Sequence, residues 1–149
     1  MFHKDALTIK GSLKVELFDE SGVLKDERFV DNLIVTVGKN GITEQLLASP
    51  SSPGKPTHMA VGTGAAAPAA GDTTLGTESA RVALTSKTRS TNVLTLVGDY
   101  AAGTATATLT EAGVFDAGAA GNMYSRATFT GIPKGASDTL KVTWTWTIG

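Results

Sequence analysis

The sequence has no cysteine among its 149 residues. Disulfide frameworks and thiolate metal sites are therefore excluded, and the fold must hold by packing and hydrogen bonding alone. Charge is sparse as well. Thirteen Lys and Arg against fourteen Asp and Glu leave a formal net charge of −1, and charged residues make up only 18%. A near-neutral chain lacks the basic field with which proteins grip nucleic acid or anionic lipid, so neither nucleic acid nor a membrane is an expected partner. Nothing approaches the ~20 consecutive apolar residues of a spanning helix. The charged start at His3, Lys4 and Asp5 is not followed by the apolar core of a signal peptide. The expected site of synthesis is the host cytoplasm, with any later location reached by lysis or by assembly into a particle. Aromatics are only 6%, which leaves Val, Leu, Ile and Ala to build most of the core.

Reactive groups are equally scarce. His3 and His58 are the only histidines. No nucleophile and acid stand at a spacing that marks a triad with either of them, and no organised set of ligands marks a zinc site. Gly62-Thr63-Gly64 lacks the lysine and hydroxyl that follow a phosphate loop and reads as a backbone turn. Asp19-Glu20-Ser21-Gly22 lacks the alternating acids and terminal glutamate of a calcium loop and reads as a hairpin turn. Glu111 and Asp116 would be a glycosidase pair only by residue type, because their flanks read as a strand end and a turn. No catalytic residue, cofactor or metal is expected, and the chain is read as not an enzyme.

What the chain does have is small residues, turns and β-formers. There are 17 Gly, with Thr and Ala frequent, a composition that favours short strands with tight connections. Residues 12–18 alternate, with Leu13, Val15 and Leu17 on one face. The turn at 19–22 and a charged edge strand over 23–30 complete an N-terminal hairpin. A buried strand is expected at 33–37. A helix is expected over 38–48, with Ile42, Leu46 and Leu47 as its apolar stripe and Asn40 or Thr43 as its cap. Residues 49–56 hold three prolines and must be a loop. A short strand at 57–62 and an exposed excursion at 64–71 follow. Five further strands are expected at 81–90, 93–100, 104–111, 123–130 and 138–148, separated by turns that include Pro133-Lys134-Gly135. In the last of them Leu140, Val142, Trp144 and Trp146 share one face. The expected fold is mainly β: one domain over 1–149, an antiparallel, jelly-roll-like β-sandwich with one short helix and the N-terminal β-hairpin over 1–31.

Two pairs of opposite charge stand out, Glu78 with Arg81 and Glu111 with Arg126. Arginine's planar fork suits a bidentate carboxylate contact. Glu78 and Arg81 read as a solvated surface pair, and Glu111 and Arg126 as a structural one.

The ordered set of motifs resembles the tail-collar fibre N-terminal module of tailed bacteriophages and related short virion structural proteins. The residues that carry the likeness are Gly62 and Gly64, Pro68, Thr73 to Leu75, Glu78 and Arg81, then Glu111, Gly113, Phe115 and Asp116, and finally Pro133 and Lys134. The module would span residues 32–149. The resemblance implies a structural subunit of the virion, a tail-fibre or tail-adaptor and baseplate protein, with a capsid decoration protein as the alternative. Its implied partners are copies of itself, as a homo-oligomer such as a trimer, and other virion proteins. A carbohydrate-binding module is the third reading. It would need Trp144 and Trp146 exposed as a stacking platform.

Overall fold

Alternation along the first strand sets up the first sheet. β1 (Ile9–Phe18) buries Leu13, Val15 and Leu17 and turns its intervening residues outward. A computed structural model describes residues 6–149, so His3 lies outside the described residues. Asp19 closes the turn after β1 by accepting from the Ser21 and Val23 N–H groups, and β2 (Leu24–Asp31) returns antiparallel. The chain continues through β3 (Leu33–Ile34), α1 (Thr36–Glu44), β4 (His58–Gly62), β5 (Glu78–Ala83), β6 (Ser86–Ser90), β7 (Val93–Tyr100), β8 (Ala107–Phe115), β9 (Met123–Lys134) and β10 (Thr139–Ile148).

The strands form two antiparallel five-stranded sheets, ordered β2-β1-β10-β7-β6 and β3-β9-β8-β4-β5, and 52% of the chain is strand. The protein is an antiparallel β-sandwich with one short helix and an N-terminal hairpin. Between the sheets lies one core that includes Leu13, Val15, Leu109, Val114, Val142 and Trp144. In β10 the residues Leu140, Val142, Trp144 and Trp146 are all buried, as period-two alternation requires. Trp146 stacks on Tyr124 at 5.9 Å between ring centroids.

Several boundaries differ from the sequence expectation. The strand expected at 33–37 stops at Ile34, and the helix begins at Thr36 rather than 38. The reason is Tyr124. Val35 N–H bonds the Tyr124 carbonyl, and Gly38 and Gly41 then lie directly against the Tyr124 backbone and ring, where any β-carbon would collide. Two glycines one turn apart make a poor helix but the close contact that this site needs. No side chain caps the N-terminus, so neither Asn40 nor Thr43 plays that part; Thr43 Oγ1 bonds back to the Asn40 carbonyl. The helix ends at Glu44. Leu46 and Leu47 fall beyond it and are exposed at 83% and 57%, so the apolar stripe expected from Ile42, Leu46 and Leu47 does not form.

The single strand expected at 81–90 is two. Leu84 N–H bonds Thr57 and the next amide, Thr85 N–H, bonds Val97, so the chain crosses from one sheet to the other between β5 and β6. β8 starts later than expected, after a left-handed Ala105 at φ 56°, and runs on through Phe115. β9 runs through Pro133 and Lys134, where a turn was expected. Proline is tolerated there because β3 pairs only with Ser125 and Arg126, leaving the rest of β9 with a strand on one side only. That open edge is covered by a side chain: Arg28 of β2 donates to the Thr130 and Gly131 carbonyls at 2.9 and 2.8 Å. The same guanidinium bonds Asp26, whose carboxylate accepts from Glu27 N–H, so the pair closes the seam between the two sheets.

Candidate functional site: a buried charge clamp on the outer face of the second sheet

β8 is central in its sheet, and from Glu111 to Phe115 it is buried on both faces. The inward residues Ala112 and Val114 join the main core. The outward ones, Glu111, Gly113 and Phe115, are covered by residues 63–77, which leave β4 and fold back over the sheet. A second, smaller core forms there from Val35, Ala60, Leu75, Phe115 and Met123. The spacing Glu-x-Gly-x-Phe is therefore one strand face read two residues at a time. Glycine at 113 leaves room for this cover: a β-carbon there would stand 2.9 Å from Leu75 Cδ2 and 3.2 Å from the Ser125 carbonyl, so the Leu75 side chain would have to move.

Glu111 is fully buried and mid-strand, not at a strand end as the sequence suggested. Its Oε1 accepts from Gly64 N–H at 2.9 Å and Thr77 N–H at 2.7 Å. Its Oε2 accepts from Gly76 N–H at 2.9 Å and from Arg126 Nε and Nη2 at 3.1 and 2.9 Å. Arg126, 3% exposed, reaches on to Asp72 Oδ2 at 2.8 Å and to the Ala66 carbonyl at 2.9 Å. Asp72 in turn accepts from Ala69 N–H. The tract 64–71 is thus not a free excursion. Its side chains are largely exposed, but its backbone is pinned by Glu111 and Arg126, and its Ala70 carbonyl accepts the Thr36 N–H at the start of α1. A β-carbon at Gly62 or Gly64 would run into the Thr77 carbonyl or the Glu111 carboxylate.

Burial alone would raise the Glu111 carboxyl. The Thr77 and Gly76 N–H groups, Arg126 and the Gly64 N–H outweigh it and hold the group below its ordinary range. Asp72 is lowered chiefly by Ala69 N–H, with Arg126 adding to it. On Arg126 the pull of Asp72 and Glu111 overcomes the opposing effect of burial and raises the guanidinium further. One guanidinium serves two carboxylates, and backbone N–H groups supply the rest, so each buried charge is hydrogen-bonded, which is the condition under which buried ions persist.

Glu78 and Arg81 form a second clamp beside the first. The guanidinium meets both Glu78 oxygens at 2.9 and 2.6 Å and donates to the Ala117 and Ala120 carbonyls at 2.9 and 2.8 Å. It also lies over the Phe115 ring, 3.7 Å from its centroid. The expected solvated pair is corrected on the arginine side: the Arg81 side chain is only 8% exposed, because the loop after β8 wraps around it. Asp116 fixes that loop. It accepts from Gly54 N–H, Asn122 N–H and Asn122 Nδ2 at 2.7–2.9 Å, and these bonds hold its carboxyl low against the effect of burial. Glu111 and Asp116 are both engaged as structural acceptors and share no cleft.

The remaining sequence candidates lie elsewhere. Lys134 is buried in the β9–β10 corner and donates to the Asp138 and Ala101 carbonyls, and burial lowers its ammonium. Asp138 holds Lys25 at 3.0 Å. Pro133 is exposed beside it on β9. Trp144 and Trp146 are 0% and 4% exposed, so the stacking platform that a sugar would need is not formed. Among the described residues the His58 ring bonds Thr57 Oγ1 and no other side chain. Among the described residues there is no group of three His, Asp or Glu that could hold a metal, and no helix long and apolar enough to cross a membrane. Sequence reasoning passed over Asp72, Asn122 and the amides of Gly76 and Thr77. Only the acid and amide types were visible in advance, because the Gly76 and Thr77 amides lie 34 or more residues from Glu111 and Asp72 lies 54 from Arg126, while Asn122 bonds Asp116 across a loop. No protein-family model, curated protein or solved structure matches the chain.

Proposed function

We propose that the chain is a non-enzymatic structural subunit of a tailed-phage particle, a tail-fibre or tail-adaptor and baseplate protein. It would be made in the host cytoplasm and held in the virion by copies of itself and by neighbouring virion proteins. One observation carries the reading. Of the residues that carry the resemblance, Gly62, Gly64, Leu75, Glu78, Arg81, Glu111, Gly113, Phe115 and Asp116 lie together about the outer face of one sheet, with their polar groups engaged in structural bonds, while Pro133 and Lys134 lie apart at the β9–β10 corner. Groups that are saturated by structural bonds serve shape, and a motif set of this kind supports a brick held by its neighbours. The pinned 63–77 segment supports it further, since it offers a preformed surface of small residues that pays little ordering entropy on contact.

Mass spectrometry of purified particles tests the proposal. The chain is expected among the particle proteins at a fixed stoichiometry to tail components. Its absence from particles, with the protein left free in the lysate, would refute the reading. A copy number that tracks the head shell would instead move the subunit to capsid decoration.

A further inference from the structure

The large apolar side chains exposed among the described residues are not scattered. Val23 and Leu24 sit at the tip of the β1–β2 hairpin, exposed at 60% and 45%. Leu7 and Ile148 lie at the other end of the sandwich, where β1 begins and β10 finishes, and Leu46 and Leu47 directly follow α1, whose Ile42 and C-cap Gln45 line a hollow with Ile9 and Ile148. The ten residues of β1 separate these two ends by roughly 30 Å. Phe29 alone stands apart, on the flank of β2.

The second end is concave. One apolar hollow of about 210 Å³ is walled by Ile9, Ile42, Leu94, Trp146 and Ile148. A larger groove of about 520 Å³ adjoins it, sharing Ile9 and Ile42 and adding Leu7, Leu33 and Lys39. Charge matches across the molecule as well. The hairpin tip carries Asp19 and Glu20, and neither has a cation within ion-pair distance among the described residues; Lys39 in the groove likewise has no carboxylate there.

The geometry points to head-to-tail self-association, in which the Val23-Leu24 tip of one copy, with Glu20 beside it, seats in the Ile9/Ile42 groove of the next, near Lys39. The contact joins two different surfaces, so it is heterologous and builds a ring or an open stack rather than a twofold dimer. The edges of the sheets are poor alternatives. β2 is closed by Asp26 and Arg28, and in β6 Lys87 and Arg89 pair with Leu96 and Leu94, which places charge on the inward face of that edge. The inference rests on the particle reading for the need of repeated copies, but the two fail separately. A chain missing from particles that still stacks in solution sinks only the former, and a chain found in particles that never self-associates sinks only the latter.

Sedimentation velocity on the purified full chain over a dilution series is the test. Wild type is expected to grow in mass with concentration past the dimer. Val23→Glu at the tip and Leu7→Glu at the groove should each weaken association roughly tenfold or more. Mixed in equal amounts, the two variants should form a dimer that does not extend, because each supplies one intact surface. Circular dichroism checks that both are folded; if Val23→Glu is not, Val23→Ser replaces it. A wild type that stays monomeric at every concentration, variants that associate like wild type, or a mixture that recovers no dimer would each overturn the proposal.

Discussion

Replacing Glu111 by glutamine tests the clamp at its centre. The side chain keeps its shape and loses its charge. In wild type one carboxylate accepts five hydrogen bonds, three from backbone N–H groups and two from Arg126. An amide has one oxygen. If its NH2 takes the Oε2 position it faces Gly76 N–H and both Arg126 donors; if it takes the Oε1 position it faces Gly64 and Thr77 N–H. Donor meets donor either way, and Arg126 is left with Asp72 as its only carboxylate. Each buried donor left unsatisfied costs about 1–3 kcal/mol, and breaking a buried ion pair by removing one partner costs about 3–5 kcal/mol. Because these overlap, a loss of about 3–5 kcal/mol is expected, or a fall in melting temperature of about 6–20 °C for a domain of this size. Equilibrium urea unfolding and calorimetry read it, and hydrogen exchange should show the amides of Gly64, Gly76 and Thr77 opening first. The double variant Glu111→Leu/Arg126→Met separates this account from a simple ion pair. A simple pair replaced by apolar residues recovers much of its stability. Here three backbone N–H groups would still lack an acceptor, so the double variant should remain at least as unstable as Glu111→Gln. A loss under about 1 kcal/mol in the single variant, or near-wild-type stability in the double, would refute the reasoning.

Three further outcomes follow from the same geometry. Glu111, Asp72 and Asp116 all have folded-state carboxyls below their ordinary values of 4.5, 3.8 and 3.8, so their stabilisation is present at neutral pH and is lost as pH falls below those values through the depressed folded ones; the slope of stability against pH in that acid window should be shallower in Glu111→Gln, and an unchanged slope would count against the linkage. Arg81→Lys should lose about 1–2 kcal/mol, because an ammonium cannot reach both Glu78 oxygens and the two loop carbonyls while stacking on Phe115, and urea midpoints equal to wild type would contradict the bidentate role. Gly64→Ala should cost about 1–3 kcal/mol by driving a β-carbon into the Glu111 carboxylate; a thermal midpoint unchanged from wild type would show that the loop has slack there.

The clamp also explains why a chain without cysteine can carry a long covering segment. Residues 63–77 include no strand or helix, yet their backbone is held at five points by Glu111, Arg126 and Thr110. Two side chains on adjacent central strands do the work that a disulfide or metal does in other small domains. Because both charges sit on rigid strands, the surface presented by the covering segment is preorganised.

Local patterning by itself determined the strand-rich character, the hairpin with its Asp19 turn, and the inward faces of β1 and β10, because a period of two is written in neighbouring residues and needs no distant partner. It also determined which charges would matter as types, Glu111 with Arg126, but not their setting. Tertiary structure alone decided that Glu111 is mid-strand and buried, since its cover comes from residues 63–77, which fold back over the outer face of its sheet. It decided the ends of α1, where contact with Tyr124 overrode the Ile42, Leu46 and Leu47 spacing, and it split residues 78–90 between two sheets at consecutive amides. Each of these depends on which remote segment supplies a hydrogen-bond partner or a wall, and that information lies in the packing of the whole chain rather than in any window of it.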